Sequence, residues 1–185
     1  MPSSNQLAQG ADKLSKTTIS LHWIVAIIMI FLLASGVYMT YFEDFNWYSW
    51  HKSVGVLALL MAMARVVWRI KEGFPKALNN KQVVMNKLAK LAHFVLLICT
   101  IIMPVSGVIS SAAGGYGVPF FGFSLFDSVA PTERPINGLL AGVAHEVHYI
   151  AGYFMIAILA LHILGACWHQ LVKKDNTLYR MVGAK

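Results

Sequence analysis

Four apolar runs of about twenty residues or more dominate this sequence of 185 residues. They extend from about Ile19 to Tyr41, Trp50 to Ile70, Leu91 to Ser111 and Glu146 to Leu171. About twenty apolar residues in a helix cross the hydrocarbon core of a bilayer, and a helix satisfies its own backbone hydrogen bonds there. The runs therefore predict an all-α membrane protein, a bundle of four transmembrane helices.

The composition agrees with a membrane protein and excludes several other classes. Hydrophobic residues make up 57% of the chain and charged residues 12%, which is about half the charged share of a soluble domain. The net charge is +7, but no aromatic-plus-basic module typical of nucleic-acid binding is present, so we expect no nucleic-acid partner. Cys99 and Cys167 lie in apolar runs without a Cys-x-x-Cys pair, which disfavours covalent haem and thiolate metal sites.

The distribution of charge predicts the topology. With four spans, the side of the membrane that carries both termini holds thirteen of the fifteen Lys and Arg residues, and the other side holds Lys52 and Arg134. The positive-inside rule then places both termini in the cytoplasm. We expect a cytoplasmic arm over residues 1–16, a transmembrane domain over 17–172 and a cytoplasmic tail over 173–185. The first apolar run is too long for a signal-peptide core, so we expect no cleavage.

The connections between the spans carry their own signals. The basic stretch 71–90 has turn residues in its first half, and its second half is expected to form a short helix at the membrane interface. Pro104 and Gly107 indicate a kink in the third span. Residues 112–144 form the longest connection, rich in Gly, Pro and Phe, which we expect to lie across the membrane surface and cap the bundle.

The histidines of the last apolar run recur at a helical spacing. Fourteen residues separate His148 from His162, and seven more lead to His169. Fourteen residues at ~100° each make almost four full turns, so these side chains share one stripe of the helix. At a rise of ~1.5 Å per residue, His148 and His162 lie about 21 Å apart along the axis, which is most of a ~30 Å hydrocarbon core. This spacing suggests two stacked redox centres.

The seven histidines divide by depth into two groups. Ionisable residues within membrane helices usually face the bundle interior and carry function. The group toward the cytoplasm comprises His22, His93, His162 and His169, and the group at the outer end comprises His51, His145 and His148.

A bis-histidine haem b needs two neutral imidazoles at one depth on opposing helices. His51 can therefore pair with His148 around an outer haem, and His22 with His162 around an inner haem. The small residues that allow a macrocycle to approach the helices are Gly36, Gly55, Ala64, Gly152 and Ala157. A hydrogen-bonded interior role is the alternative for each histidine.

The remaining polar groups at the two ends of the bundle have roles that the sequence leaves open between alternatives. His93 and His169 lie at the cytoplasmic end, where two imidazoles can exchange protons with a quinone under reduction. Arg65 either anchors the second span or binds a haem propionate or the quinone. His145 lies three residues before His148, either at the outer rim or as a competing ligand.

Several short motifs together resemble the bacterial cytochrome b561 family, and in particular its superoxide oxidase members. They are SLHW at 20–23, WHKSVG at 50–55, LAHFVLL at 91–97 with Pro104 eleven residues after His93, the pair His148 and His162, and KDNTLYRM at 174–181. Each motif is weak, whereas their order and spacing are specific, and the resemblance covers about residues 17–181.

The resemblance implies a four-helix bundle with two haem b groups in the bacterial inner membrane. It implies that His22 and His162 ligate the inner iron and His51 and His148 the outer iron. It also implies a ubiquinone site near His93 and His169. Superoxide oxidase members pass electrons from periplasmic superoxide to ubiquinone. In this chain Lys52 and Arg134 are the basic residues available on the outer side to attract an anion.

Two other functions fit parts of the pattern. The membrane anchor subunits of formate dehydrogenase and hydrogenase share this helix plan, and they deliver electrons from a hydrophilic partner to quinone. A proton-coupled transporter or metal carrier would use the histidines as proton or metal ligands. Co-purification of a large hydrophilic subunit indicates the first alternative, and a colourless protein the second.

Overall fold

The computed structural model describes residues 14–73, 83–174 and 177–183. Four long helices dominate these residues: α1 (Lys16–Phe42), α2 (Tyr48–Glu72), α3 (Val83–Ala113) and α4 (Gly138–Trp168). All four are long and apolar enough to cross a membrane, which confirms the predicted four-helix membrane protein.

The helices extend past the apolar runs at several ends. The helix α4 begins at Gly138, eight residues before the predicted start at Glu146, and the side chain of Asn137 caps it by accepting a hydrogen bond from the backbone N–H of Leu140. The residues that α4 adds at its start, 138–145, are themselves mostly apolar, so the predicted span began too late in the sequence. The helix bounds therefore differ from the predicted spans although the number of helices agrees.

The basic segment between the second and third spans differs from its prediction. Its first half lies mostly in residues 74–82, outside the described residues. Its second half forms the first turns of α3, which begins at Val83 and continues without a break to Ala113. The second half is helical as predicted, but it is continuous with the third span and is not a short helix of its own. Pro104 lies inside α3 and does not end the helix.

The helices pack in chain order and leave one side of the bundle open. The helix α4 packs along α3, and α1 and α3 each pack against α2, while α1 and α4 make at most sparse backbone contact in the described part of the chain. A groove of about 290 Å³ separates α1 from α4, and its lining is entirely apolar: Ile30, Leu33, Ile156, Leu159, Ala160 and Ile163.

The buried core of the bundle is thin. The buried apolar side chains of its central cluster are Val25, Met29, Leu32, Ala58, Cys99, Met103 and Met155. Many other large apolar side chains point outward, as expected where the surrounding solvent is lipid rather than water. The thiol of Cys99 is buried and that of Cys167 half-buried, and both are free, as their places in apolar runs predicted.

The long connection between α3 and α4 contains a β-hairpin that the sequence analysis did not anticipate. Strands β1 (Tyr116–Phe120) and β2 (Phe123–Ser128) pair antiparallel, and β1 packs on α2 and α3. The hairpin lies at what we call the outer end of the bundle, opposite the inner end where the described first and last residues meet. Its place on the bundle agrees with the expected cap. Gly117 and Pro119 in the first strand obscured the alternation that would have predicted it.

Two consecutive side chains of α2 hold the first strand of the hairpin. The ammonium of Lys52 donates to the carbonyls of Tyr116 (3.3 Å) and Gly117 (3.1 Å). The hydroxyl of Ser53 donates to the carbonyl of Pro119 (3.3 Å) and accepts from the N–H of Phe121 (3.2 Å). The hairpin is thereby fastened to the helical turn that carries His51.

The inner end is closed by the C-terminal segment. After α4 the chain forms a π-helical turn (His169–Lys173) and a short helix α5 (Thr177–Val182). The indole N–H of Trp23 donates to the carbonyl of Met181 (2.7 Å), which ties α5 to α1. Both described ends of the chain therefore lie on the same side of the bundle.

Candidate functional site

The predicted outer histidine pair meets across the bundle. The rings of His51 on α2 and His148 on α4 have their centroids 6.3 Å apart, with planes 80° apart. An imidazole nitrogen lies about 2 Å from a bound metal, so two imidazoles on opposite sides of one ion have ring centroids roughly 6 Å apart. The spacing of this pair therefore fits one metal ion held between the rings.

The hydrogen bonds of His148 define which ring nitrogen carries its proton. The Nδ1 of His148 lies 2.8 Å from the carbonyl oxygen of Met103 and 3.2 Å from the hydroxyl of Ser106. A carbonyl oxygen accepts but cannot donate, so Nδ1–H is the donor. The lone pair is then on Nε2, which is the arrangement that a metal-ligating histidine requires.

His51 reaches the same tautomer through a hydroxyl on α1. The Nδ1 of His51 lies 2.8 Å from the hydroxyl of Ser35, and this hydroxyl also lies 3.1 Å from the carbonyl of Leu32. Since Ser35 has one proton and the Leu32 carbonyl can only accept, the hydroxyl donates to Leu32 and accepts from His51. His51 thus also carries its proton on Nδ1 and leaves Nε2 free.

Two glycines give the outer imidazoles the space they occupy. A Cβ added at Gly36 would lie 3.5 Å from Cε1 of His51, and one at Gly107 would lie 3.0 Å from Cε1 and 3.2 Å from Nδ1 of His148. The approach at Gly107 is tighter than ordinary van der Waals contact. Gly107, which the sequence suggested as a kink residue, therefore makes room for an imidazole.

The predicted inner pair has a similar spacing but a different partner. The rings of His22 on α1 and His162 on α4 are 6.4 Å apart between centroids, with planes 61° apart. The guanidinium of Arg65 donates from Nη2 to Nδ1 of His22 at 2.9 Å. Since a guanidinium can only donate, His22 here carries its proton on Nε2, opposite to the outer histidines.

His93 joins the inner pair, and His169 lies further along α4. The ring of His93 on α3 is 5.1 Å from that of His162, and His93 is exposed on the bundle surface. His169 begins the π-helical turn and packs edge-on against Trp168 at 5.4 Å. At the outer end, His145 is exposed.

Positive charge lies beside the outer pair. The ammonium of Lys52, next in sequence to His51, lies 5.4 Å from the ring centroid of Tyr48 and 5.9 Å from that of Tyr116. The guanidinium of Arg134 lies over the same Tyr116 ring at 4.8 Å and donates to the carbonyl of Gly115 at 3.0 Å. Two cations thus flank one aromatic ring at the outer rim.

The geometry fits a macrocyclic metal cofactor better than a bare ion. Among the described residues, no group of three or more His, Cys, Asp or Glu side chains is arranged to hold a metal ion. Two facing imidazoles would give such a cofactor's metal two nitrogen ligands, and a porphyrin would supply the remaining ones. Both spacings and the free Nε2 atoms of the outer pair fit such a group.

Sequence analysis missed the groups that orient the imidazoles. Ser35, Ser106 and the carbonyl of Met103 come from helices that carry no histidine of the outer pair, so the spacing of the histidines does not reveal them. A signal does exist, because the tripeptide Ser-Gly-Val occurs at 35–37 and again at 106–108.

We expect Gly107→Ala to destabilise the protein because the added methyl group overlaps the ring of His148. Overpacking of this kind costs about 1–3 kcal/mol. The matched control is Gly142→Ala on α4, where nothing lies within 4 Å of the added Cβ and helix propensity favours alanine. Thermal unfolding in detergent measures both, and equal melting temperatures for the two variants would contradict the crowding at Gly107.

Comparison with known proteins identifies the family. The family model described as prokaryotic cytochrome b561 matches residues 13–184. Cytochrome b561 homolog 2 of Escherichia coli (strain K12) is 29% identical over 167 residues, covering 88% of this chain and 87% of the relative. Cytochrome b561 homolog 1 of the same organism is 28% identical over 182 residues, covering 92% and 97%. The probable superoxide oxidase CybB of Yersinia pestis is 26% identical over 177 residues, covering 94% and 97%.

Proposed function

The chain belongs to the prokaryotic cytochrome b561 family, and on that premise we propose that it passes electrons from superoxide to ubiquinone through two haem b groups. The family implies a bacterial membrane protein that binds haem b and transfers electrons. The observation that carries the finer proposal is the pair of imidazole spacings, 6.3 Å and 6.4 Å, at opposite ends of one helix.

We assign His51 and His148 to the outer haem, and His22 and His162 to the inner haem. Each haem, when bound, supplies one-electron chemistry by cycling between ferric and ferrous iron. His93 is nearer to His162 than His22 is, but its 5.1 Å spacing is too short for an iron between the rings. The helix α4 contributes one ligand to each site, and it thereby sets the distance between them.

Arg65 has a role that follows from the tautomer of His22. To bind iron through Nε2, His22 must carry its proton on Nδ1, where Arg65 now donates. Arg65 then needs another acceptor, and a haem propionate at the inner end offers one with the geometry that a guanidinium prefers. Binding a quinone oxygen is the other role open to Arg65.

The outer cations support superoxide as the donor. Superoxide is an anion, and positive charge near its site of reaction raises its local concentration. Lys52 and Arg134 supply this charge, and both cations lie against the ring of Tyr116. Lys52 directly follows His51 in the sequence. Two superoxide anions give one electron each and leave as oxygen. One relative carries the name probable superoxide oxidase.

The inner end is suited to the reduction of quinone on the cytoplasmic side of the membrane. Ubiquinone takes up two electrons and two protons to become ubiquinol. His93 is exposed beside His162, and His169 lies seven residues beyond His162, so either imidazole can deliver protons to a quinone that enters from the lipid. The excess of Lys and Arg at this end supports a cytoplasmic location for both termini.

A second candidate function is that of a membrane anchor for a hydrophilic dehydrogenase, which would deliver electrons to quinone. The observation that favours it is strand β2, whose six residues are all exposed at the outer end. A partner could extend the hairpin there by strand addition. Co-purification of such a subunit with the membrane protein would favour this alternative.

We expect His148→Ala to lose the outer haem and keep the inner one, because only one of four ligands is removed. The pyridine haemochrome assay should fall from two haems per chain to about half of that value. The matched control is His145→Ala, which removes an exposed imidazole one turn away and should retain both haems. A full complement of haem in His148→Ala would contradict the assignment.

We expect His169→Ala to slow the reduction of quinone without loss of haem. General acid catalysis by a positioned imidazole contributes typically about 10²–10⁴-fold to a rate, so a decrease of at least tenfold is the expected effect. Rates with a ubiquinone analogue and the haem absorbance spectrum measure the two properties separately. Loss of a haem band would show that His169 is an iron ligand instead.

Stopped-flow mixing with superoxide tests the proposed reaction directly. The haem absorbance should show reduction within the mixing experiment, and added ubiquinone analogue should reoxidise it. Lys52→Gln should lower the second-order rate several-fold and weaken its dependence on salt, because one steering charge is removed. Lys52→Arg is the matched control. A rate no faster than spontaneous dismutation would exclude superoxide as the donor and favour the dehydrogenase alternative.

A further inference from the structure

The two Ser-Gly-Val tripeptides occupy equivalent positions in the bundle. The first, at 35–37, lies on α1 and faces the histidine of the next helix, α2. The second, at 106–108, lies on α3 and faces the histidine of the next helix, α4. Both approach the outer imidazole pair and neither contributes an iron ligand.

The contacts of the two serines repeat in detail. Each hydroxyl lies close to the carbonyl three residues earlier, with distances of 3.1 Å from Ser35 to Leu32 and 2.9 Å from Ser106 to Met103. Each hydroxyl also lies next to a histidine Nδ1, at 2.8 Å for Ser35 and 3.2 Å for Ser106. Both serines are buried.

The glycine of each tripeptide repeats its role as well. Gly36 lies against the ring of His51 and Gly107 against the ring of His148, so close that an added Cβ would contact the imidazole. A serine followed by a glycine therefore presents an acceptor to Nδ1 and an open backbone to the ring face or edge. The same two residues do this twice, on α1 and on α3.

We propose that the two Ser-Gly pairs are matched positioning residues that orient the outer imidazoles and set the electron affinity of the outer haem. The proposal rests on the proposed function in one respect, that His51 and His148 are the outer iron ligands. In this arrangement the same Ser-Gly contact to a histidine occurs twice, once between α1 and α2 and once between α3 and α4. The outer haem would be bound between the two histidines.

The physical reason is the proton on Nδ1. An acceptor on that proton fixes the tautomer and increases the basicity of Nε2, and a more basic ligand stabilises ferric iron. Removal of the acceptor should therefore raise the midpoint potential of the haem that the imidazole ligates. The inner pair lacks this arrangement, because the partner of His22 Nδ1 is the guanidinium of Arg65, a donor.

The two copies differ in one hydrogen bond, so the two serines should not contribute equally. His148 has the carbonyl of Met103 at 2.8 Å in addition to the hydroxyl of Ser106. His51 depends on the hydroxyl of Ser35 at 2.8 Å. Loss of the Ser35 hydroxyl should therefore have a larger effect than loss of the Ser106 hydroxyl.

A helix serine that bonds to its own backbone is common and often has no further role. The chain contains a matched example, because the hydroxyl of Thr100 on α3 donates to the carbonyl of Leu97 at 2.7 Å and is buried. Thr100→Val removes a hydroxyl of the same kind while it preserves the shape of the side chain. It therefore serves as the control for a purely structural effect.

The experiment measures both midpoint potentials by spectroelectrochemical titration of the purified two-haem protein. In Ser35→Ala one potential should move to a more positive value and the other should remain, with a smaller shift of the same potential in Ser106→Ala. Ser35→Thr, which keeps the hydroxyl, should restore the wild-type value. Ser35→Cys, a weaker acceptor of similar size, should give an intermediate shift and provides a second test if Ser35→Ala does not accumulate.

Three results would overturn the proposal: unchanged potentials in both Ser35→Ala and Ser35→Cys, equal shifts of both haems, or a shift in Thr100→Val as large as in Ser35→Ala. Loss of one haem from Ser35→Ala with both retained in Ser35→Thr would support it. A wild-type protein with fewer than two haems would instead contradict the proposed function itself, so the two failures are distinguishable.

Discussion

The hydrogen bond on each imidazole Nδ1 is the interaction on which the arrangement at the outer end depends. Inside a bilayer no water is available to satisfy a polar ring nitrogen, so the protein must supply the partner. Ser35 supplies it for His51, and Ser106 with the Met103 carbonyl supplies it for His148. Because these groups are acceptors, the opposite nitrogen of each ring keeps a free lone pair, and the two lone-pair nitrogens belong to rings 6.3 Å apart.

The packing of the helices brings these hydrogen-bond acceptors to the imidazoles. The helices α1 and α3 contribute no histidine to the outer pair but provide the acceptors and the glycine surfaces against which the rings lie. The helices α1 and α4 remain apart, and the groove between them is lined by aliphatic side chains only. The bundle is therefore held together through neighbours in chain order, while the histidines of α4 face α2 at one end and α1 at the other.

Much of the fold was predictable, and the reasons are local. Long apolar runs must form helices in lipid, so the four helices were recognisable. Their ends were not, because α3 begins inside the basic segment and α4 begins eight residues before the predicted span. The hairpin β1–β2 was missed because its register is interrupted and glycine and proline occupy strand positions. The helical start of α3 at Val83 was mistaken for a separate interfacial helix because its basic residues resemble a surface segment.

The helix periodicity alone stacks His148 and His162 on one stripe, and hydropathy alone assigns each histidine a depth, so the sequence was sufficient to propose two sites at the two ends of the bundle. The partner of each Nδ1 required the tertiary structure. Ser35 is 16 residues from His51 and Ser106 is 42 from His148, and only the packing of α1 on α2 and of α3 on α4 brings them together. The packing of the helices also decides that His22 has a hydrogen-bond donor, Arg65, at Nδ1, whereas the outer histidines have acceptors there. No local sequence pattern indicates this difference. Side-chain contacts between helices depend on rotation and translation of whole helices, which periodicity within one helix does not determine.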